Sequence, residues 1–301
     1  MKMVDIVPLN LTVEQYIQTV NLDSRHRVIF FFQHLKNFLQ FIKESRLSDE
    51  PIPHIRISED KREFARGVSG VVFISAGLIE LCLSAGWCFK ESILDFPVPS
   101  EEFDSDQIGM TAVRWVLAHE YYHSIQKHSD VELLVGKDVL TSHALEMDAD
   151  MMAMSSIYRT YQIRYENIIS NDLHLRQLTI YCLFWVLRTL PDDVTEGHHP
   201  SLATRLHMLA SKLGNLRASY TDVADPFGST QETILAKAAV FKCMFKCEEE
   251  FMKYYPGSDK QDMYTEWCRL ENDGTINEIL ARWKELAPVV ESLCMKARLK
   301  E

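Results

Sequence analysis

Helical periodicity is the feature of this sequence that most constrains its fold. Apolar residues recur at three- and four-residue steps along most of the chain, as on one face of an α-helix. Helices are expected over residues 24–42, 141–163, 172–190, 202–213 and 231–255, with a further helix towards the C-terminus. Only His54–Ile57 and Val71–Ser75 are convincing strands, because they combine short length with β-branched or aromatic residues. The predicted fold class is therefore mainly α, an α+β arrangement with a small sheet.

Charge and hydropathy exclude two classes of partner. The net charge of −11 means that a phosphate backbone is repelled by most of the surface, so nucleic acid is not an expected partner. Residues 70–89 are long and apolar enough to suggest a membrane span. Gly77 divides this segment into a strand and a helix, however, and Glu80 would be costly in hydrocarbon. No membrane association is expected.

The cellular compartment is inferred from the N-terminus and the cysteines. Polar residues and Pro8 interrupt every apolar run in the first twenty residues, so no secretory signal is expected. The seven cysteines are an odd number, and they are scattered through a chain too large to need disulfides. A cytoplasmic protein with reduced thiols is therefore predicted.

The stretch AHEYYHSIQKH, residues 118–128, carries the strongest functional signal. His119 and His123 are four residues apart, so on a helix their imidazoles lie on one face and can bind a single zinc ion. Glu120 projects from a neighbouring direction, where its carboxylate can take a proton from a water beside the metal. This division of roles is the one that zinc-assisted hydrolysis requires.

A third zinc ligand is expected in HALEMDADMMA, residues 143–153. Glu146 and Asp150 are again four residues apart in a helical pattern. We predict that Glu146 completes the ligand set and that Asp150 accepts the outer N–H of a ligand imidazole. His143 and Asp148 are alternative third ligands.

The segment GHHPSLATRL, residues 197–206, supplies two further candidates. His199 precedes Pro200, a residue that suits the first turn of a helix, and Arg205 follows about one and a half turns later. We expect both to face a cleft near the zinc ion, where an imidazole and a guanidinium could stabilise an oxyanion or orient a carboxylate. Surface positions for both residues are the alternative.

Together these stretches resemble the gluzincin peptidases of the Ste24, HtpX and Oma1 (M48-like) group, in order and in spacing. The corresponding positions are Val71–Leu78, then Ala118, His119, Glu120, His123 and His128, then Glu146, Ala149 and Asp150, and finally His199, Pro200 and Arg205. Glu146 follows His123 more closely than is usual in that group, and a membrane anchor is missing. In both respects the chain is more similar to soluble phage-exclusion endopeptidases (peptidase U49-like), which cut a host translation factor.

The resemblance implies a zincin-like helical core with a small sheet beside the active-site helix. It implies that Val71, Val72, Phe73, Ile74 and Ser75 form an edge strand that pairs with an extended protein or peptide substrate. The expected regions are an N-terminal helical region (1–66), a zinc metallopeptidase core (67–215) and a C-terminal helical region (216–301) that can belong to the same domain. The flanking regions would restrict which proteins enter.

The sequence thus predicts a cytoplasmic zinc metalloendopeptidase with Glu120 as general base, acting in phage defence or a stress response. An activating or inhibitory protein is a further expected partner. The alternative is a zinc-stabilised binding or regulatory protein without catalysis, in which the same ligands serve folding alone.

Overall fold

A computed structural model describes residues 10–46, 48, 50–68, 70–85, 94, 96, 105–165, 167–169, 171–189, 199–216, 230–254 and 263–298. The strands in these ranges are β1 (Asn10–Thr12), β2 (His54–Ser58), β3 (Ala65–Val68) and β4 (Val71–Ser75). The helices are α1 (Val13–Thr19), α2 (Leu22–Ser45), α3 (Ala76–Ala85), α4 (Ser105–Ile125), α5 (His128–Val135), α6 (Val139–Tyr165), α7 (Asp172–Thr189), α8 (Leu202–Asn215), α9 (Thr230–Tyr254), α10 (Met263–Asp273) and α11 (Thr275–Arg298). The fold is mainly α with a small sheet, as the periodicity predicts.

The sheet has the strand order β1-β2-β4-β3. Strand β2 pairs in parallel with β4, and β3 pairs antiparallel with β4 through a hairpin in which Gly70 has a φ of 78°. The expectation that Val71–Ser75 is an edge strand is therefore wrong. Both sides of β4 are occupied by ladder hydrogen bonds, so it cannot accept another strand. The edge strand beside α4 is instead Ala65–Val68, a segment for which the sequence pattern predicts no strand.

The free side of β3 faces the helix that carries the two paired histidines. The amide of Ser75 donates to the carbonyl of Phe64, and hydrogen-bonded pairs alternate along an antiparallel ladder. The backbone groups of Ala65 and Gly67 consequently lie on the open edge. Strand β3 contacts α4, and on this edge the Gly67 amide donates to Glu120 Oε2.

Helices α4 and α6 pack together at the centre of the main core. Trp115, Tyr121 and Tyr122 of α4 are almost fully buried, and Tyr158 and Tyr161 of α6 are buried against the same core. Since both helices are enclosed on nearly every side, polar residues on them must be satisfied by other protein groups. Imidazoles and carboxylates on these helices therefore lie where they can contact one another.

The C-terminal helices complete the packing. Arg188 of α7 forms a bidentate ion pair with Glu248 of α9, with N–O distances of 2.9 and 3.0 Å, and both side chains are buried. A second apolar cluster joins α5, α6, α8 and α11; its buried members are Val131, Ala144, Leu145, Met147, Met208, Ile279, Leu286 and Val290.

Within the described residues, no helix combines the length and hydropathy needed to cross a bilayer. The division into three regions stays a prediction.

Candidate metal centre

The last turns of α4 place two histidines side by side. His119 and His123 are one helical turn apart, and their Nε2 atoms lie 3.0 Å from each other. His119 is 5% exposed, because α4 is buried on the side from which it projects. The side chain of His123 is more open, at 22% exposure. The predicted pairing of two imidazoles on one helix face is therefore present.

Helix α6 brings the carboxylate of Glu146 to both imidazoles. Its Oε2 lies 3.1 Å from His119 Nε2, and its Oε1 lies 3.4 Å from His123 Nε2. The structure thus brings together all three predicted ligands. Of the two alternatives, Asp148 contacts His128 instead, and His143 lies outside the group of donor atoms that the described residues form here.

His199 joins this group from the segment before α8. Its Nδ1 lies 2.8 Å from Glu146 Oε2. One donor atom each from His119, Glu146 and His199 lie within 4.8 Å of one another, which makes them a possible metal-binding triad. Ser201 caps α8 by accepting from the amide of Thr204, so the helix begins after Pro200 and His199 remains in the preceding segment.

Two observations fit a cation at this point. Glu146 Oε2 and His199 Nδ1 are buried and lie 2.8 Å apart, but they lack hydrogen-bond geometry, and neither atom has a hydrogen-bond partner among the described residues. Ligands about 2.0–2.2 Å from a tetrahedral zinc ion lie roughly 3.3–3.6 Å apart. The measured separations of 2.8–3.4 Å are only slightly shorter. One donor atom each of His119, Glu146 and His199 could thus share a cation, and His123 Nε2 lies beside them.

The electrostatics of the cluster favour positive charge. Burial lowers the pKa of His119, but the contacts with Asp150 and Glu146 outweigh it and raise that pKa to about 10. Burial also raises the pKa of Glu146, whereas the neighbouring imidazoles of His123, His119 and His199 hold it well below its usual value. A carboxylate that favours a proton on an imidazole also favours a metal ion in its place.

Glu120 is positioned beside the cluster by the edge strand. The amide of Gly67 donates to Glu120 Oε2 at 2.6 Å. A Cβ at residue 67 would lie 3.3 Å from the carbonyl oxygen of Glu120 and 3.4 Å from its Oε2, so only glycine permits this approach without displacement. Glu120 is therefore held against a backbone amide of β3 and not against the imidazoles.

Asp150 and Arg205 form a buried unit behind His119. Asp150 Oδ1 lies 2.8 Å from His119 Nδ1, and Arg205 donates to both oxygens of Asp150 at 2.7 and 2.8 Å. Arg205 is 7% exposed and lies over the ring of Trp115. The expectation that Arg205 faces an open cleft is wrong, because its guanidinium is committed to Asp150. Its hydrogen bonds to the site are made to that acid.

A second polar chain lies behind His123. His123 Nδ1 is 2.8 Å from His128 Nδ1, and His128 Nε2 is 3.2 Å from Asp148 Oδ2. His128 and Asp148 are both almost fully buried. His128 is noticeable in the sequence because it lies five residues after His123, as in the gluzincin pattern. This spacing alone does not show which group His128 contacts.

Comparison with known proteins gives one match. A family model described as Peptidase U49 matches residues 93–222. No curated protein matches the chain, and no solved structure does. The similarity to the Ste24, HtpX and Oma1 group stays a prediction. The matched stretch contains His119, Glu120, His123, Glu146 and His199, so the whole candidate metal centre lies in the part of the chain that is similar to a peptidase family.

Proposed function

We propose that the chain is a zinc-dependent endopeptidase in which His119, His123 and Glu146 bind the metal and Glu120 is the general base. The observation that carries this proposal is the convergence of two imidazoles and one carboxylate, with separations of 3.0–3.4 Å, beside a second carboxylate that does not join them. Two histidines and one glutamate are a ligand set of catalytic zinc sites. The Peptidase U49 match over the same residues supports hydrolysis of a protein substrate.

Zinc at this position would supply Lewis-acid chemistry, polarising a carbonyl and lowering the pKa of water to about 7. The protein's own contribution begins with Glu120, which accepts the proton of the attacking water and delivers it to the leaving amine. The Gly67 amide orients this carboxylate through Oε2, which leaves Oε1 available for the proton. Asp150 fixes the ring of His119 from behind.

His199 is proposed to act on the substrate side of the site. Its side chain is 28% exposed, more than those of His119, Glu146 and His123. A residue in this position can donate to the oxyanion that develops on the scissile carbonyl. Replacement of His199 by Ala should lower kcat by about 10²–10³-fold and change zinc affinity little. Complete loss of zinc binding in His199→Ala would instead identify His199 as a ligand.

The open edge of β3 is the proposed site for the extended substrate. The outward backbone groups of Ala65 and the carbonyl of Gly67 can pair with a peptide, while the Gly67 amide holds the general base. A peptide paired there lies next to the carboxylate that must deliver a proton to it. Strand β3 thus takes the substrate-pairing role that the resemblance implied for the inner strand Val71–Ser75.

The resemblance to phage-exclusion endopeptidases supports a cytoplasmic role in phage defence, with an infection-derived protein as activator. The test compares cells that express the wild-type chain or Glu120→Gln, before and after phage infection, by mass spectrometry of new protein termini. Glutamine preserves the shape of the side chain and the acceptor for Gly67 but cannot act as the base. We expect new termini and reduced phage yield with the wild-type chain alone. Equal phage exclusion by Glu120→Gln would show that the protein acts by binding.

A further inference from the structure

The two imidazoles paired on α4 are supported in different ways. His119 has a carboxylate, that of Asp150, directly behind it at 2.8 Å. His123 has no carboxylate at that distance among the described residues; its Nδ1 meets a second imidazole, that of His128, at 2.8 Å. The carboxylate of Asp148 lies one step further away, 3.2 Å from His128 Nε2.

We propose that Asp148 and His128 form a two-residue relay that fixes the tautomer of His123 and leaves its Nε2 free for the metal. The inference rests on the proposed function, because it assigns positioning residues to the same zinc site. Neither residue touches the substrate in this assignment. Both act through the orientation and proton position of His123.

The direction of the relay follows from donor and acceptor chemistry. A carboxylate only accepts, so the proton in the contact between Asp148 and His128 is on His128 Nε2. A neutral imidazole has one N–H, and His128 Nδ1 is therefore an acceptor. His123 must then donate from its own Nδ1, which leaves the lone pair on Nε2 directed at His119 and Glu146. His128 has one partner at each nitrogen, and the chain ends at His123 Nε2, which faces His119 and Glu146.

Burial makes this arrangement difficult to replace with water. His128 is 3% exposed and Asp148 is 4% exposed, so solvent cannot substitute for either partner. The two rings of His123 and His128 meet edge to face, with an interplanar angle of 80° and centroids 4.9 Å apart. With the Nδ1 atoms 2.8 Å apart, this packing restricts rotation of the His123 ring.

The backbone between α4 and α5 places His128 where the relay needs it. Lys127 adopts a left-handed conformation, with φ of 57° and ψ of 34°, between the two helices. The lysine ammonium contacts the carboxylate of Glu50, which supports this turn. His128 is consequently the first residue of α5 and faces back towards the last turn of α4. An uninterrupted helix would carry residue 128 away from residue 123, since positions five apart are separated by about 140° around the axis.

The test measures zinc affinity of the purified full chain by competition with a chromophoric chelator. His128→Leu and Asp148→Asn should each weaken zinc binding by about 10–100-fold. His128→Gln should restore most of the affinity, because its carbonyl can accept from His123 and its amide can donate to Asp148. The double variant His128→Leu/Asp148→Asn should bind no more weakly than His128→Leu, since Asp148 acts only through His128.

His207→Leu is the matched control, because His207 is a partly buried histidine on α8 that packs against Phe241, outside the metal centre. It should retain wild-type affinity. Circular dichroism identifies any variant that fails to fold; if His128→Leu fails, Asp148→Asn and His128→Gln decide the outcome. Imidazole ¹⁵N shifts add a readout that loss of packing would not change. In metal-free protein, they should show the Nδ1–H tautomer of His123 in the wild type and a mixture in Asp148→Asn.

Folded His128→Leu and Asp148→Asn with affinities within about twofold of wild type would overturn the relay. So would a wild-type chain that binds no zinc. The proposed peptidase function fails separately: Glu120→Gln should keep zinc affinity and lose cleavage. If the wild type binds zinc but cuts no protein, the peptidase assignment is wrong, while the affinity measurements still decide the relay.

Discussion

Replacement of Arg205 by Leu tests whether this residue supports the site through Asp150 or acts on the substrate. Arg205 donates to both oxygens of a 2%-exposed carboxylate, at 2.7 and 2.8 Å. Removing one partner of such a pair leaves an uncompensated charge in the core, which typically costs about 3–5 kcal/mol. The folding equilibrium constant should therefore fall by roughly two to four orders of magnitude.

The double variant Arg205→Leu/Asp150→Leu separates stability from metal binding. Two apolar residues can replace a buried ion pair at little cost, so most of the lost stability should return. Zinc affinity of the double variant should be about 10–100-fold below that of the wild type, because His119 then lacks the carboxylate 2.8 Å from its Nδ1. The free energy of unfolding is measured by urea denaturation of metal-free protein, followed by tryptophan fluorescence.

Arg188→Leu is the control for this experiment. Arg188 also makes a bidentate contact with a buried acid, Glu248, and that acid also retains one partner, the amide of Met263 at 3.2 Å. We expect a similar loss of stability and unchanged zinc affinity. The reasoning is refuted if Arg205→Leu costs less than about 1 kcal/mol. If this variant loses cleavage with stability and zinc affinity intact, Arg205 acts on the substrate.

Three further predictions concern the edge strand, the metal and the thiols. Gly67→Ala should lower kcat by about 3–10-fold with unchanged zinc affinity, because the added methyl displaces Glu120 by a few tenths of an ångström; wild-type kcat would contradict this positioning. Zinc at a hundredfold excess over Kd should stabilise the wild type by about 2.7 kcal/mol but not His119→Leu, measured as a rise in Tm that a chelator reverses. At pH 8, Cys268, which is exposed, should react with iodoacetamide in the native protein, whereas Cys82 should not, because burial raises its pKa to about 12. Mass spectrometry distinguishes the two thiols, and equal rates would contradict the burial of Cys82.

Local spacing was sufficient to predict much of the site. The four-residue steps from His119 to His123 and from Glu146 to Asp150 are properties of single helices, and long periodic segments specify those helices without knowledge of the rest of the fold. A third ligand in residues 143–153 was expected because a catalytic zinc site needs one, but the spacing left Glu146, His143 and Asp148 open. Packing of α6 against α4 brings Glu146 to the two imidazoles.

The features that the sequence did not predict depend on contacts between distant segments. Ala65–Val68 is short and contains an arginine and a glycine, so its strand character comes from pairing with β4 and not from propensity. Arg205 is directed into the protein because α8 packs against α6, which no spacing within α8 indicates. The contact between His128 and His123 depends on a left-handed Lys127, a conformation that few residues other than glycine adopt.

Helix α11 gives the C-terminal region a role in the architecture of the candidate metal centre. Ile279, Leu286 and Val290 cover Leu145 and Met147, the immediate neighbours of Glu146 on α6. Deletion of the last helix would expose apolar side chains on the very segment that presents the carboxylate. A shortened chain could therefore be inactive because α6 is destabilised, and not because the C-terminal region selects substrates. Point substitutions on the solvent side of α11 are the better means of studying substrate selection.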